Sequence, residues 1–178
     1  LAGGLAGAGI AAADVALLSH ATTIVTNALL EGKGARTAFV GTRGFRDLLE
    51  LRRSTRVDLY DLFQDPPPVL VPRLHRYEIT ERVDAQGEVV TPLAEAEAGP
   101  LIEALRASGV ETVAVSLLFS FLNDAHERRL GELLRAGLPG VEVFLSCDVL
   151  PEIREFERAS TTAVCAYVGP LLKSYLER

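Results

Sequence analysis

Val15-Ala-Leu-Leu-Ser-His-Ala-Thr-Thr-Ile-Val-Thr-Asn-Ala-Leu-Leu-Glu-Gly-Lys-Gly-Ala-Arg-Thr-Ala-Phe-Val-Gly-Thr-Arg-Gly-Phe-Arg-Asp-Leu-Leu-Glu-Leu51 holds four pieces of different periodicity. Val15 to Ser19 is a short apolar run, the mark of a buried strand. Thr22 to Glu31 carries Ile24, Ala28 and Leu29 on one helical side, and Gly32 is placed to stop it. Arg36 to Val40 reads as a second strand ended by Gly41, and Phe45 to Leu51 as a short helix. Strand, helix, strand, helix predicts parallel strands joined by helical crossovers.

Working outward, the alternation breaks and then resumes. Asp65-Pro-Pro-Pro68 fits neither helix nor central strand, so a loop is expected from Arg52 to Val71. Leu74 to Val83 alternates Tyr77 and Ile79 with Glu78 and Thr80. Asp84-Ala-Gln-Gly87 turns the chain, and Glu88 to Val90 returns. Leu74–Val90 is therefore expected as an antiparallel hairpin beside the sheet. Thr91 is expected to cap a helix with Pro92 at its first position. Gly99-Pro100 should bend that helix, and Gly109 should close it. Thr112 to Phe119 is almost unbroken apolar, as in a strand buried on both faces. Asn123 is expected to cap a helix carrying Leu130, Leu133 and Leu134, followed by a strand from Val141 to Leu145. Glu152 to Arg178 reads as mostly helical, with a kink expected at Pro170. The fold class is α/β: a mostly parallel sheet, flanking helices and a β-hairpin excursion. Residues 1–178 form one α/β domain on this reading, with residues 52–91 as the proline-rich loop and hairpin within it.

The composition bounds the function. With 48% apolar and 24% charged residues, the chain can bury a core and is not globally disordered. A net charge of −6 argues against nucleic acid and against an anionic membrane as partners. No run reaches the roughly 20 apolar residues that span a bilayer. Two cysteines, Cys147 and Cys165, are too few for a disulfide scaffold, so a cytoplasmic location is expected. The apolar opening Leu1 to Ala13 lacks a basic leader and carries four glycines. It reads as a helix end at a fragment boundary in preference to a signal peptide.

Three constellations carry candidate chemistry. Ser19-His-Ala-Thr-Thr23, with Thr26 and Asn27, lies between a strand and its helix, where open parallel sheets gather ligands. The architectural alternative is that Thr22 caps the helix and His20 is a satisfied polar group. Arg43, Arg46, Arg52, Arg53 and Arg56 face only Asp47 and Glu50 in their segment. Arg43-Gly44 follows a strand, and a forked guanidinium there suits a carboxylate or phosphate. The alternative is a solvated face with local ion pairs. In Glu152-Ile-Arg-Glu-Phe-Glu-Arg-Ala-Ser-Thr-Thr162, Glu155 and Arg158 are spaced to pair on one helix face. Neither phosphate-loop nor dinucleotide glycine motif is present, and His20, His75 and His126 have no metal-ligand spacing. No metal site and no catalytic residue is assigned from the sequence.

Ser19-His-Ala-Thr-Thr-Ile-Val-Thr-Asn-Ala-Leu-Leu-Glu31 and Gly34-Ala-Arg-Thr-Ala-Phe-Val-Gly-Thr-Arg-Gly-Phe-Arg-Asp47 strongly resemble the N-terminal region of the hydantoinase A/5-oxoprolinase family. Asp58-Leu-Tyr-Asp-Leu-Phe63, Glu81-Arg-Val-Asp84 and Pro151-Glu-Ile-Arg-Glu-Phe-Glu-Arg-Ala-Ser-Thr-Thr162 match in the same order. The resemblance implies part of an actin-like, sugar-kinase-like ATPase fold. It implies ATP hydrolysis coupled to ring opening of a cyclic amide such as a hydantoin or 5-oxoproline, or in relatives the carboxylation of a ketone; the alternative outside enzymes is a non-catalytic assembly module that supplies sheet and interface. The expected cofactors of the full-length protein are ATP and a divalent metal, Mg or Mn, with neither held by this fragment alone. The expected partners are a B-type subunit or fused region, a small cyclic amide or ketone substrate, and further copies of the chain.

The family's Asp-x-Gly-Gly-Thr phosphate loop would precede Leu1, so the fragment alone should not turn over ATP. A family His-Gly-Thr-Thr stands here as His20-Ala21-Thr22-Thr23, and Cys165 stands where an Asn is usual. His20, Thr22, Thr23 and Asn27 carry over as substrate- or phosphate-side residues, and Arg43 and Gly44 go with them. Ser19–Thr23 and Arg43–Gly44 are expected to meet at the carboxyl edge of the sheet.

Overall fold

The structure is a computed structural model that describes residues 7, 11–16, 22–54, 60, 61, 63 and 68–177. A four-stranded, all-parallel sheet forms its centre, in the order β2-β1-β5-β6. These strands are β1 (Thr37–Thr42), β2 (Arg76–Ile79), β5 (Thr112–Ser116) and β6 (Glu142–Leu145). A separate two-stranded antiparallel sheet joins β3 (Arg82–Val83) and β4 (Val89–Thr91). The helices are α1 (Ile24–Glu31), α2 (Leu48–Leu51), α3 (Ala98–Ser108), α4 (Ala125–Gly137), α5 (Ser146–Val149) and α6 (Glu155–Leu176).

β1 and β5 are buried along their whole length because each has a strand on both sides and helices on both faces. Successive side chains of a strand point to opposite faces. Ala38, Val40, Val113 and Val115 therefore enter one core with Leu101 and Leu105 of α3 and Leu130 and Leu134 of α4. Phe39 and Ala114 enter the other, against Leu49 of α2 and Ala159, Ala163 and Ala166 of α6. The large Phe39 faces a helix stripe of alanines, which lets α6 lie close to the sheet. The three layers explain why these strands read as continuous apolar runs.

Several local signals act as expected. Gly32 (φ 66°) ends α1 and Gly109 (φ 63°) ends α3, each in the left-handed region that costs glycine no Cβ clash. Gly34 is required for contact: a Cβ there would lie 2.1 Å from the Tyr167 ring. Next to it Ala35 N donates to Tyr167 O at 2.8 Å, tying α6 to the entry of β1. At Pro170, where a kink is expected, α6 instead runs on as one unbroken helix to Leu176.

Other boundaries differ from expectation. Gly41 does not end β1, because it stays in register with Glu78 on one side and Ser116 on the other, and the strand closes at Thr42. The expected strand at Val15–Ser19 is not seen at its described end: Val15 and Ala16 follow a 3-10 turn at Ala12–Asp14. Residues 17–19 lie outside the described residues. Leu74–Val90 is not one antiparallel hairpin. Its first arm, Arg76–Ile79, joins the main sheet parallel to β1, and only Arg82–Val83 pairs antiparallel with Val89–Thr91. Thr91 ends β4 and caps no helix, since α3 begins at Ala98 after a 3-10 turn at Glu95–Glu97. Pro100 consequently falls in the first turn of α3, where its missing N–H is one that the helix leaves unpaired anyway. β5 stops at Ser116 instead of running to Phe119, which has φ 55° in the turn that follows.

Candidate functional site

The carboxyl ends of β1, β5 and β6 converge on polar residues that the core encloses. Glu127 sits in the first turn of α4 and is fully buried. Its carboxylate accepts from Leu117 N at 2.8 Å, Cys147 N at 2.7 Å and Ser146 Oγ at 2.9 Å. Arg158 of α6, 1% exposed, donates to Leu117 O at 2.6 Å, Ser146 Oγ at 3.1 Å and Glu152 O at 3.3 Å. The Arg158 guanidinium also lies 5.2 Å from the centre of the Phe121 ring. Burial pulls the Arg158 pKa below its ordinary value, and nearby Glu127 acts in the opposite direction. Burial, and then the Glu127 charge, push the Cys147 thiol up to about 12.

A second arm of polar contacts starts one residue on. Leu118 N donates to Thr42 Oγ1 at 3.0 Å, and Thr42 Oγ1 donates to Glu81 Oε1. The other oxygen of Glu81 lies 2.9 Å from His126 Nδ1. The two arms hold the successive amides of Leu117 and Leu118, so the turn after β5 is pinned between α4, α6, β1 and β3. Asn123 adds a contact from Nδ2 to Gly87 O at 2.9 Å, joining that turn to the hairpin. Its Oδ1 accepts from Ala125 N at 3.2 Å, while Asp124 holds the N-cap position expected of Asn123.

The sequence-derived candidates fall in different surroundings. Arg43 and Gly44 do follow β1 at the carboxyl edge of the sheet. Arg43 is engaged there: Nε donates to Thr80 Oγ1 at 2.5 Å, and its terminal nitrogen pairs with Glu97 at 2.9 Å. Gly44 N donates to Glu78 Oε1 at 2.6 Å. The Thr80 amide and then its hydroxyl, with Arg43, hold the Glu97 carboxyl below its ordinary range. Thr22, Thr23 and Asn27 are exposed at the start of α1, with Thr22 Oγ1 accepting from Ile24 N at 3.3 Å. Ser19, His20 and Ala21 lie outside the described residues. Among the described residues, no hydrogen bond or ion pair joins Thr22, Thr23 or Asn27 to Arg43 or Gly44.

Within the arginine cluster Arg43 pairs with Glu97 and Arg53 with Glu157, while the cluster's own carboxylates are taken by later arginines: Arg76 bridges Asp47 at 3.3 Å and Glu50 at 2.7 Å, and Arg73 pairs with Asp47. Arg158 turns inward to hydrogen-bond the ends of β5 and β6, and Glu155, spaced to pair with it, acts on it through its charge. Sequence reasoning missed Glu81, Glu127 and Ser146. One signal was legible: Glu127 precedes Leu130 and Leu134 by three and seven residues, which puts a carboxylate on the apolar face of α4. Partners distant in sequence gave no such signal.

Among the described residues, no group of three His, Cys, Asp or Glu side chains is placed to hold a metal ion. Arg43, Arg76 and Arg158 are each engaged by protein partners.

The molecule is thus a three-layer α/β domain whose carboxyl edge closes over buried carboxylates and an arginine. The chain belongs to the hydantoinase/oxoprolinase family, whose N-terminal region model matches residues 2–138. It is 39% identical over 168 residues to the caprolactamase subunit alpha of Pseudomonas jessenii, covering 93% of this chain and 24% of that subunit. The crystal structure of the ATP-dependent caprolactamase from Pseudomonas jessenii superposes with a TM-score of 0.85 at 36% identity, over 99% of this chain and 26% of that one. The 5-oxoprolinase 1 of Arabidopsis thaliana is 34% identical over 175 residues, 87% of this chain and 14% of the relative. A nucleotide-free acetone carboxylase structure matches with a TM-score of 0.80 at 26% identity, over 94% of this chain and 26% of that chain. The chain thus spans about a quarter or less of these relatives.

Proposed function

We propose that this chain is the N-terminal portion of an ATP-dependent hydrolase that opens cyclic amides of the lactam, 5-oxoproline or hydantoin type. The observation that carries the reading is the combined sequence and backbone match to the caprolactamase, which extends over nearly the whole chain. On this proposal the complete protein has an actin-like ATPase architecture and uses ATP with Mg or Mn. It works with a B-type subunit or fused region in the cytoplasm. The two free thiols, Cys147 and Cys165, support a reducing compartment. His20, Thr22, Thr23, Asn27, Arg43 and Gly44 remain proposed substrate- or phosphate-side residues. Arg43 would have to leave Glu97 to serve.

A second reading, a ketone carboxylase subunit, is favoured by the likeness to acetone carboxylase. The two are separated by assaying the full-length protein and its partner subunit for ATP turnover. Caprolactam, 5-oxoproline and hydantoin form one set, and ketones with bicarbonate the other. Stimulation by a cyclic amide without bicarbonate incorporation supports the hydrolase. Stimulation only by a ketone with bicarbonate supports the carboxylase.

A further inference from the structure

His126 and Glu81 are arranged for more than tethering. Glu81 precedes β3, and its side chain is wholly buried. Its Oε1 accepts from Thr42 Oγ1, and that hydroxyl is itself fixed by Leu118 N at 3.0 Å. A carboxylate bonded in this way can only accept on its second oxygen, so His126 Nδ1, 2.9 Å away, carries the donated proton. In the neutral ring the lone pair then resides on Nε2. That atom makes no hydrogen bond among the described residues. It is not one of the buried atoms left without a partner, and the side chain keeps 13% of its exposure, so it opens to solvent.

A buried carboxylate behind a histidine fixes the ring's tautomer and orientation. Anchoring the hairpin to α4 would need only Nδ1. The location matters as well: Thr42 ends β1 and Leu118 follows β5, so the pair stands on the carboxyl edge, where parallel sheets place their ligands.

We propose that Glu81 and His126 form a proton-transfer dyad, with His126 Nε2 as the working atom and the water that attacks an amide carbonyl as its substrate. This rests on the cyclic-amide hydrolysis proposed above. On an amide that the ATP-dependent step proposed above has activated, an O–H bond of water breaks as its oxygen bonds to the carbonyl carbon, and the proton passes to Nε2. The Nδ1–H stays on Glu81. The C–N bond then breaks, the nitrogen keeps the electron pair and takes the proton from Nε2, and the ring returns to its starting form. Glu81 and Thr42 are positioning residues in this step.

The test uses the full-length protein with its partner subunit. His126→Asn places an amide nitrogen where Nδ1 was and removes Nε2. The dyad requires kcat for amide-dependent ATP turnover to fall by about 100-fold or more, with KM nearly unchanged. Melting should move by no more than about 2 °C. Wild-type kcat in His126→Asn overturns the dyad. Carbethoxylation by diethylpyrocarbonate, read by mass spectrometry, gives a second measurement independent of turnover. His126 should react several-fold faster in the wild type than in Glu81→Gln, or than in Thr42→Val should Glu81→Gln fail to fold. Equal rates overturn the dyad. A wild-type protein that opens no cyclic amide defeats the proposed function, and the labelling comparison still decides whether Glu81 activates His126.

Discussion

Cys147 shows how burial sets chemistry at a single residue. Its thiol ordinarily ionises near 9.0 and is pushed up to about 12, first by burial and then by the Glu127 charge. The thiolate is the reactive form. Native protein at pH 8 should therefore be alkylated at Cys147 by iodoacetamide far more slowly than unfolded protein, as peptide mass spectrometry would read. The same shift has a stability sign. The folded state keeps its proton where the unfolded chain releases one, so this contribution is intact below pH 9 and is lost as pH rises toward 12. The urea midpoint should fall between pH 8 and pH 10, and by less in Cys147→Ala.

Glu127 gives the complementary case. Glu127→Ala would leave the buried Arg158 without its strongest compensating charge, and the Leu117 and Cys147 amides without an acceptor. Losing one partner of a buried charged network costs about 3–5 kcal/mol. Urea denaturation should show that loss. A cost below about 1 kcal/mol, typical of exposed pairs, would mean the network is not closed to water.

At the scale of elements, close approach governs the join between α1, β1 and α6. Gly34→Ala would put a methyl 2.1 Å from the Tyr167 ring. Overpacking of this kind costs about 1–3 kcal/mol, and thermal melting should register it. A neutral result would mean that Tyr167 rotates away freely, although its carbonyl binds Ala35 N. How legible the elements are in sequence follows from their burial. β1 and β5 stand out as apolar runs because helices cover the sheet on both sides. β2 misleads through its alternation. Arg76 and Glu78 alternate with Tyr77 and Ile79 as in a half-exposed hairpin arm, yet Arg76 is buried against Asp47 and Glu50. Alternation is the usual mark of an antiparallel strand, yet β2 carries it while running parallel to β1. The Thr91-Pro92 pair misleads in another way, since a cap signal operates only where the chain has already left its strand, and Thr91 is still paired with Arg82.

For the whole molecule, surface carboxylates set the acid limit. Hydrogen bonds from Arg73 hold Asp47 below its ordinary value, the Thr80 amide does so for Glu97, and Arg129 does so for Glu95. Depressed carboxylates contribute stability that is present above about pH 4.5 and is lost as pH falls through their folded values. Melting temperature should therefore be flat from pH 7 to 5 and drop below pH 4, by less in 1 M salt, which screens exposed pairs. The candidate site is less legible than the fold. Its polar groups come from residues 42, 81, 117, 118, 126, 127, 146 and 158, and only the folded sheet brings them together. Arg43 was legible as a position but not in its partners: Glu97 lies fifty-four residues on, in a segment expected to be helix.

The most direct measurement is the stoichiometry of the full-length protein with its partner subunit: ADP formed against ring-opened product, from caprolactam, 5-oxoproline and hydantoin in turn. One of these should yield its ring-opened product only when ATP is present, with ADP released in proportion and no label taken up from bicarbonate. ATP turnover that none of the three stimulates, or ring opening that proceeds equally well without ATP, would contradict the proposed function.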